Sequence, residues 1–443
     1  MRLRKLALSA AGSLALIGTV PAAHAIDMEA GDWTFSVNGN VNANYVYTSC
    51  DSGSPISFGG SLAGGVVGAC NINGPIDDNV SSVRTGLLPA ALVFGASTQQ
   101  NGWDISGTFG LYPGIVTNDN ANGTGGSPNL APGNNVALGS TSLDIRQVFL
   151  EFGNSEFGTV KAGRDFGLFG YDAIINDMTI PAVGVATNAV GSPANTTLGS
   201  IGFGYIYTDT LSQINYTTPD MGGFTATAGV FQTIDSLSSP STVGVGESLP
   251  GFHGQLRYEW DGAFVSMNAV TLEVNGNDID IDNDGALEPG TQVIDDERVY
   301  GVDLNYKQSL GALDFLLSGY YTEGLGSVAY LFDAFDAEGN KRDSYGGLAQ
   351  VTYTAGKNKF GLNYGISYLD TTEFDEANPT ADGVCDADAV CLFESNQKVT
   401  AGYYYSFTPN LTLTAEYSYA ESQNHAGDEY DANNVNVGAF FSF

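Results

Sequence analysis

The chain reads as all-β, a 16-stranded antiparallel transmembrane β-barrel, and three observations predict it. Short segments that alternate apolar and polar residues recur from one end of the chain to the other. The connections between those segments are by turns short and long. No segment beyond residue 25 approaches the roughly 20 consecutive apolar residues that a spanning helix needs. In lipid only helices and closed barrels satisfy every backbone polar group, so a membrane protein of this composition must be a barrel.

The first 25 residues stand apart. Arg2, Arg4 and Lys5 form a basic start, Leu6 to Val20 is an apolar run, and Ala23-His24-Ala25 is a small-residue cleavage site. This reads as a secretory signal peptide over 1–25, which leaves one barrel domain over 26–443, or 443 − 25 = 418 residues.

The first strand sets the pattern. Trp33, Phe35, Val37, Val41, Ala43, Tyr45 and Tyr47 alternate with Thr34, Ser36, Asn38, Asn40, Asn42 and Asn44. One face is apolar, and the other is uncharged and asparagine-rich, as a wet interior prefers. Leu256, Tyr258 and Trp260 likewise oppose Gln255, Arg257 and Glu259, and Leu411, Leu413, Ala415 and Tyr417 oppose Thr412, Thr414 and Glu416. Such segments predict strands near 33–47, 83–98, 103–112, 142–153, 158–166, 205–218, 224–232, 252–260, 263–273, 298–308, 313–321, 344–354, 359–369, 397–407, 411–419 and 435–443. That is 16, an even number, as single-chain bacterial barrels require.

Short turns fall at Gln100-Asn101-Gly102, Asn154-Ser155-Glu156, Asp261-Gly262 and Pro409-Asn410. The intervening connections are long, polar and rich in Gly, Asp and Asn, well above the usual loop length of a compact domain. Sorting loops by side is what a barrel with periplasmic turns and outside loops demands, and a soluble sandwich has no reason for it.

Composition agrees. The chain has 58 Gly, 23 Tyr and 24 Phe, against only 15 Lys plus Arg and 49 Asp plus Glu. Removing three signal-peptide bases leaves 12 bases against 49 acids, a charge of −37. That sign excludes nucleic acid as a partner and suits outside loops that gather cations. In an oxidising compartment Cys50 with Cys70, and Cys385 with Cys391, are placed to close as two disulfides. Asp280, Asp282, Asp284 and Gly285 have the spacing of ligands for a hard cation such as calcium, but Thr291 stands where a closing acid belongs. A solvated acidic loop is the first reading there and a calcium site the second; no other cofactor is indicated.

Two neighbouring strands carry a resemblance. The run Arg146-Gln147-Val148-Phe149 leads through Asn154-Ser155-Glu156 into Phe157-Gly158-Thr159-Val160-Lys161-Ala162-Gly163-Arg164. With the signal peptide and the final strand ending in Phe443, it resembles the Gram-negative general porins. The resemblance implies a homotrimer in the outer membrane and passive diffusion of small hydrophilic solutes. It further implies contact with lipid and lipopolysaccharide, and recognition of the Phe443 strand by the barrel assembly machinery. It also implies a third loop, here from about Gly167 to Gly204, folded inward to narrow the pore, with Asp172 and Asp177 as its only acids. Arg164 and Lys161 are the first candidates for a basic wall facing that loop, with Arg146, Arg84, Arg257 and Glu259 as further pore-lining candidates. Strict alternation puts Arg84 and Arg146 on the outward face, where a mid-depth charge costs roughly 2–4 kcal/mol. A bulge or a rim position resolves the conflict.

Other classes predict different residues. An enzyme needs a nucleophile, base and orienter within reach, and after the signal peptide the only histidines are His253 and His425, neither in a nucleophile motif. A substrate-specific channel calls for an aromatic track or a lysine cluster. A structural or adhesive barrel calls for a plugged lumen. Cation or anion preference is left open, because the overall acid excess and a basic wall point opposite ways.

Overall fold

The computed structural model describes residues 26–50, 79–115, 143–186, 196–234, 248–274, 297–336, 338–378, 392–427 and 429–443. The 18 strands of these described residues form a single sheet. They are β1 (Ile26–Ala30), β2 (Trp33–Cys50), β3 (Asn79–Arg84), β4 (Ala91–Gln100), β5 (Trp103–Pro113), β6 (Leu143–Asn154), β7 (Gly158–Phe166), β8 (Thr210–Thr217) and β9 (Phe224–Phe231). The second half holds β10 (Gly251–Trp260), β11 (Ala263–Val274), β12 (Glu297–Leu310), β13 (Leu313–Glu323), β14 (Asp343–Ala355), β15 (Asn358–Leu369), β16 (Phe393–Ser406), β17 (Leu411–Asn424) and β18 (Glu429–Ser442). Among the described residues two short helices, α1 (Tyr171–Asn176) and α2 (Glu373–Ala377), lie in loops.

Each wall strand pairs antiparallel with its neighbours, and β18 returns to β2, so the sheet closes. β3 and β4 share one wall position, because β3 pairs with residues 44–49 of β2 and β4 with residues 33–40. β1 is a hairpin extension beside residues 33–37. The wall therefore has 16 strands, and closure leaves no edge of unpaired N–H and C=O groups to lipid.

The side-chain period sorts the two faces. Asn40, Asn42 and Asn44 are each 1% exposed and point inward, while Val41 and Tyr45 are 55% and 49% exposed and point outward. At the turn end the outward aromatics touch: Trp103 lies 5.2 Å from Phe157, which lies 5.6 Å from Tyr216. Such a belt suits the boundary between hydrocarbon and water. The two-residue turn between β4 and β5 has φ of 52° at Asn101 and 81° at Gly102, the left-handed pair that matches strand twist in tight hairpins. Among the described residues no helix is long and apolar enough to cross a membrane.

All sixteen expected segments coincide with wall strands, with three differences in extent. The expected 83–98 strand is interrupted after Arg84 and resumes at Ala91. The expected 205–218 strand starts only at Thr210. β17 and β18 run on to Asn424 and back to Glu429, so a short connection stands where a long loop was expected. Beyond the lipid an outward residue need not be apolar, and Glu421 and Gln423 continue the backbone ladder without the hydropathy signal.

The interior is not uniformly wet. From the turn end to the loop end, the inward face of β11 passes from Ser266 and Asn268 to Val270, Leu272 and Val274. β12 passes from Asn305 and Asp303 to Val299, and β8 from Asn215 and Gln213 to Leu211. Inward apolar residues in a barrel require something dry to cover them.

Candidate functional site

The segment between β7 and β8 folds into the barrel and supplies that cover. α1 begins where the Gly170 amide donates to Asp303 Oδ2 at 2.8 Å. Asp172, in its first turn and 1% exposed, is surrounded by wall donors. Arg257 Nη1 donates to its Oδ1 at 2.6 Å, while Ser266 Oγ at 2.6 Å and Gln255 Nε2 at 3.1 Å donate to Oδ2. Asp177, just past α1, accepts from the Thr179 amide and hydroxyl at 2.9 and 2.8 Å and from the Tyr205 hydroxyl at 2.8 Å. Burial and that carboxylate hold the Tyr205 hydroxyl protonated far above its ordinary range.

The far end of the loop meets the opposite wall. Between β3 and β4 the chain leaves the sheet, and Leu87 N donates to Ala182 O at 2.7 Å. The asparagine ladder of β2 supports this detour: Asn40 and Asn42 donate to Pro89 O and Leu88 O at 2.9 and 2.8 Å, and Gly86 N donates to Asn42 Oδ1. Glu416 Oε2 accepts the amides of Val183 and Gly184 at 3.0 and 2.8 Å, and its Oε1 accepts the Tyr404 hydroxyl at 2.7 Å. On the return the loop presses on β15, where a Cβ at Gly365 would fall 1.8 Å from Phe203 O, so only glycine admits the backbone. The Gly204 amide donates to Ser367 Oγ nearby at 2.9 Å. The loop is thus bonded to the wall at its start, its tip and its return.

The expected basic residues divide. Lys161 is inward, 2.5 Å from Asp165 and 3.4 Å from Glu151, with its ammonium 4.7 Å from the Phe149 ring centre. Arg257 is inward over Phe264 at 3.7 Å, its Nε 2.5 Å from the exposed Glu259. Arg146 is inward through a bulge: Gly110 pairs with Gln147 but Tyr112 with Asp144, so Arg146 and Gln147 are consecutive and both buried. Its Nε lies 2.8 Å from Asp144. Arg84 is also inward, paired across from Asn44, with Nη2 donating to Thr196 O at 2.6 Å. The detour after it shifts the parity of the strand, since Phe94 on β4 faces outward. Arg164 is the correction. It is exposed and lies between Val148 and Ser212, both outward residues, so it stands on the outer face and takes no place in the inner wall. On β7 the inward positions are Lys161 and Asp165, which flank it in parity.

Cys50, the last residue of β2, is disulfide-bonded. Cys70, Cys385, Cys391 and the Asp280, Asp282 and Asp284 motif lie outside the described residues. Among the described residues no group of three or more His, Cys, Asp or Glu side chains is placed to hold a metal.

Further inward groups were not singled out in the sequence. Lys398 is 1% exposed and donates to Thr400 Oγ1 at 3.3 Å. Lys307 Nζ donates to Asn176 Oδ1 on α1 at 2.8 Å, and Gln350 exchanges bonds with Asn176 O and Met178 N. Each sits at a polar position of its strand's alternation, which was the available signal.

A polar-walled barrel whose interior is crossed by a bonded loop is the arrangement of a diffusion pore. The model of the Gram-negative porin family matches residues 10–439. The chain belongs to the Gram-negative porin family. The porin is an outer-membrane protein and a porin-type channel for solute diffusion. In fold it is similar to the outer membrane channel DcaP of Acinetobacter baumannii, with a TM-score of 0.62 and 15% identity over 94% of this chain and 99% of that one. It is similar to Salmonella typhi OmpF in complex with daunomycin, at 0.52 and 15% over 94% and 100% of the two chains. It also matches Pseudomonas putida OprB at high pH, at 0.52 and 12% over 93% and 94%. No curated protein sequence matches the porin.

Proposed function

We propose that this porin is a passive channel for small hydrophilic solutes with a weak preference for cations, acting as a homotrimer and performing no chemistry. The observation that carries the reading is the wall on the turn side of the third loop, which is polar and mixed in charge. Lys161, Arg257, Lys307 and Lys359 stand there with Asp104, Glu151, Asp165, Glu259 and Asp314, and Asp172 of the loop faces Arg257, so bases and acids come close to balance. Rings of fixed charge bias which ion enters, and a near balance gives a weak bias. The acid excess of the whole chain, −34, acts in the same direction at the mouth. Non-specificity is supported by the inward rings of Phe149 and Phe264, each covered by a base and so not offered to a sugar. The absence of chemistry is supported by His253, which is buried against Asn215 at 2.7 Å and beside the Phe231 ring. Trimer formation follows from the family resemblance and is read by chemical cross-linking in detergent. The direct test is the reversal potential across a bilayer in a salt gradient. A modest cation-selective potential, together with swelling of proteoliposomes in small sugars, is expected, and a strongly anion-selective potential would contradict the charge argument.

A further inference from the structure

The loop between β13 and β14 also turns into the barrel. Leu325, Leu331 and Ala334 have no exposed surface, and Val328 and Tyr330 have 5% and 3%. Leu325, Tyr330, Leu331 and Ala334 meet the apolar upper faces of the wall, forming one cluster with Val270, Leu272, Val299 and Tyr320 and with Phe169 and Ile206 of the third loop, while Val328 packs into a second cluster with Ile201, Phe203 and Tyr205 on the return of that loop. On β8, β11 and β12 the inward face changes from polar residues (Gln213, Asn268, Asp303) to apolar ones (Leu211, Val270, Leu272, Val299) where the loops lie, so wall and loop match in polarity.

The contact with the third loop is specific. The Tyr207 amide donates to Val328 O at 2.8 Å, the Tyr330 hydroxyl donates to Phe169 O at 3.3 Å, and the two rings are 6.0 Å apart. The loop's base is clamped. Gly324 N donates to Arg342 O at 2.9 Å, and Arg342 grips both oxygens of Asp375 on α2 at 2.8 and 2.7 Å while donating to Phe335 O at 2.6 Å. A segment sealed at its base, dry along its length and bonded to the constriction loop cannot leave as a unit without exposing that cluster.

We propose that the β13–β14 loop is a second constriction arm, which closes the β8–β13 sector of the outer mouth, holds the third loop down and shares in setting the size of solute that passes. The proposal rests on the channel reading above. Two experiments on the full-length porin test it. Replacing residues 327–335 by a short glycine-serine link is expected to raise unitary conductance and admit larger sugars into proteoliposomes. Unchanged conductance and size limit in a barrel that keeps its heat-modifiable mobility would overturn the proposal. Labelling reads the position of the arm without removing it. Leu331→Cys is expected to react with an impermeant maleimide about tenfold more slowly than Glu338→Cys, whose site is exposed. Equal rates would overturn the proposal even if the replacement variant failed to fold. A wild-type porin that carries no current would count against the channel reading instead, and the labelling ratio would still report where the arm lies.

Discussion

Asp172 shows how a single residue holds the constriction. Its carboxylate is 1% exposed, and Arg257, Ser266 and Gln255 on β10 and β11 all donate to it. Removing one member of a buried charge pair costs about 3–5 kcal/mol, because the other is left uncompensated. Arg257→Ala should therefore lower the thermal midpoint of the porin and add noise to its open-channel current, with Asp172→Asn on the same background recovering part of the loss. A variant as stable and as quiet as wild type would refute the anchoring role. Glu416 anchors the other end by accepting two backbone amides. Glu416→Ala orphans those buried donors at about 1–3 kcal/mol, and faster proteolysis near residue 184 is the expected readout. Residue-level reading from the sequence was uneven for one physical reason, parity. In a strand, one residue more or less turns a side chain from one face to the other. The bulge at Arg146 and the detour after Arg84 each supply that extra step, and neither has a local signature strong enough to count in advance. Arg164 was misplaced by family resemblance, where simple alternation from Lys161 would have put it outside.

At the scale of elements, the strands were legible and the inward loops were not. Alternation and turn chemistry act between near neighbours, so sixteen segments could be counted. The loops are held by partners far away in sequence, such as Tyr207 with Val328 and Val183 with Glu416. One local clue did exist: Val328-Ala329-Tyr330-Leu331-Phe332 is apolar in a connection that would otherwise meet water. The same loop carries a titration. Burial pushes the Asp333 carboxyl up to about 6 from its ordinary 3.8, against the pull of Arg342. The folded state thus binds the proton more tightly than the unfolded one. The resulting stabilisation is complete below pH 3.8 and is lost as pH rises through about 6. Scanning calorimetry between those limits should show wild type losing ground to Asp333→Asn as pH rises. A constant difference between the two midpoints would show that Asp333 does not titrate in this way.

For the whole molecule, the closed sheet solves the membrane problem, and the loops decide what the resulting tunnel admits. Closure pairs every wall strand, the outward face meets hydrocarbon, and the polar inner wall below the third loop keeps water. Charge was legible at this scale only in outline. The chain carries −34, yet the inner acids Asp172, Asp177 and Glu416 are engaged in holding the loop, so that excess acts on a passing ion at the mouth more than at the constriction. The tunnel itself is tested most directly by single-channel recording of the purified porin in a planar bilayer. Discrete, ohmic current steps that persist in salts of different small ions are the predicted result. Folded, heat-modifiable barrels that insert and pass no current would contradict it.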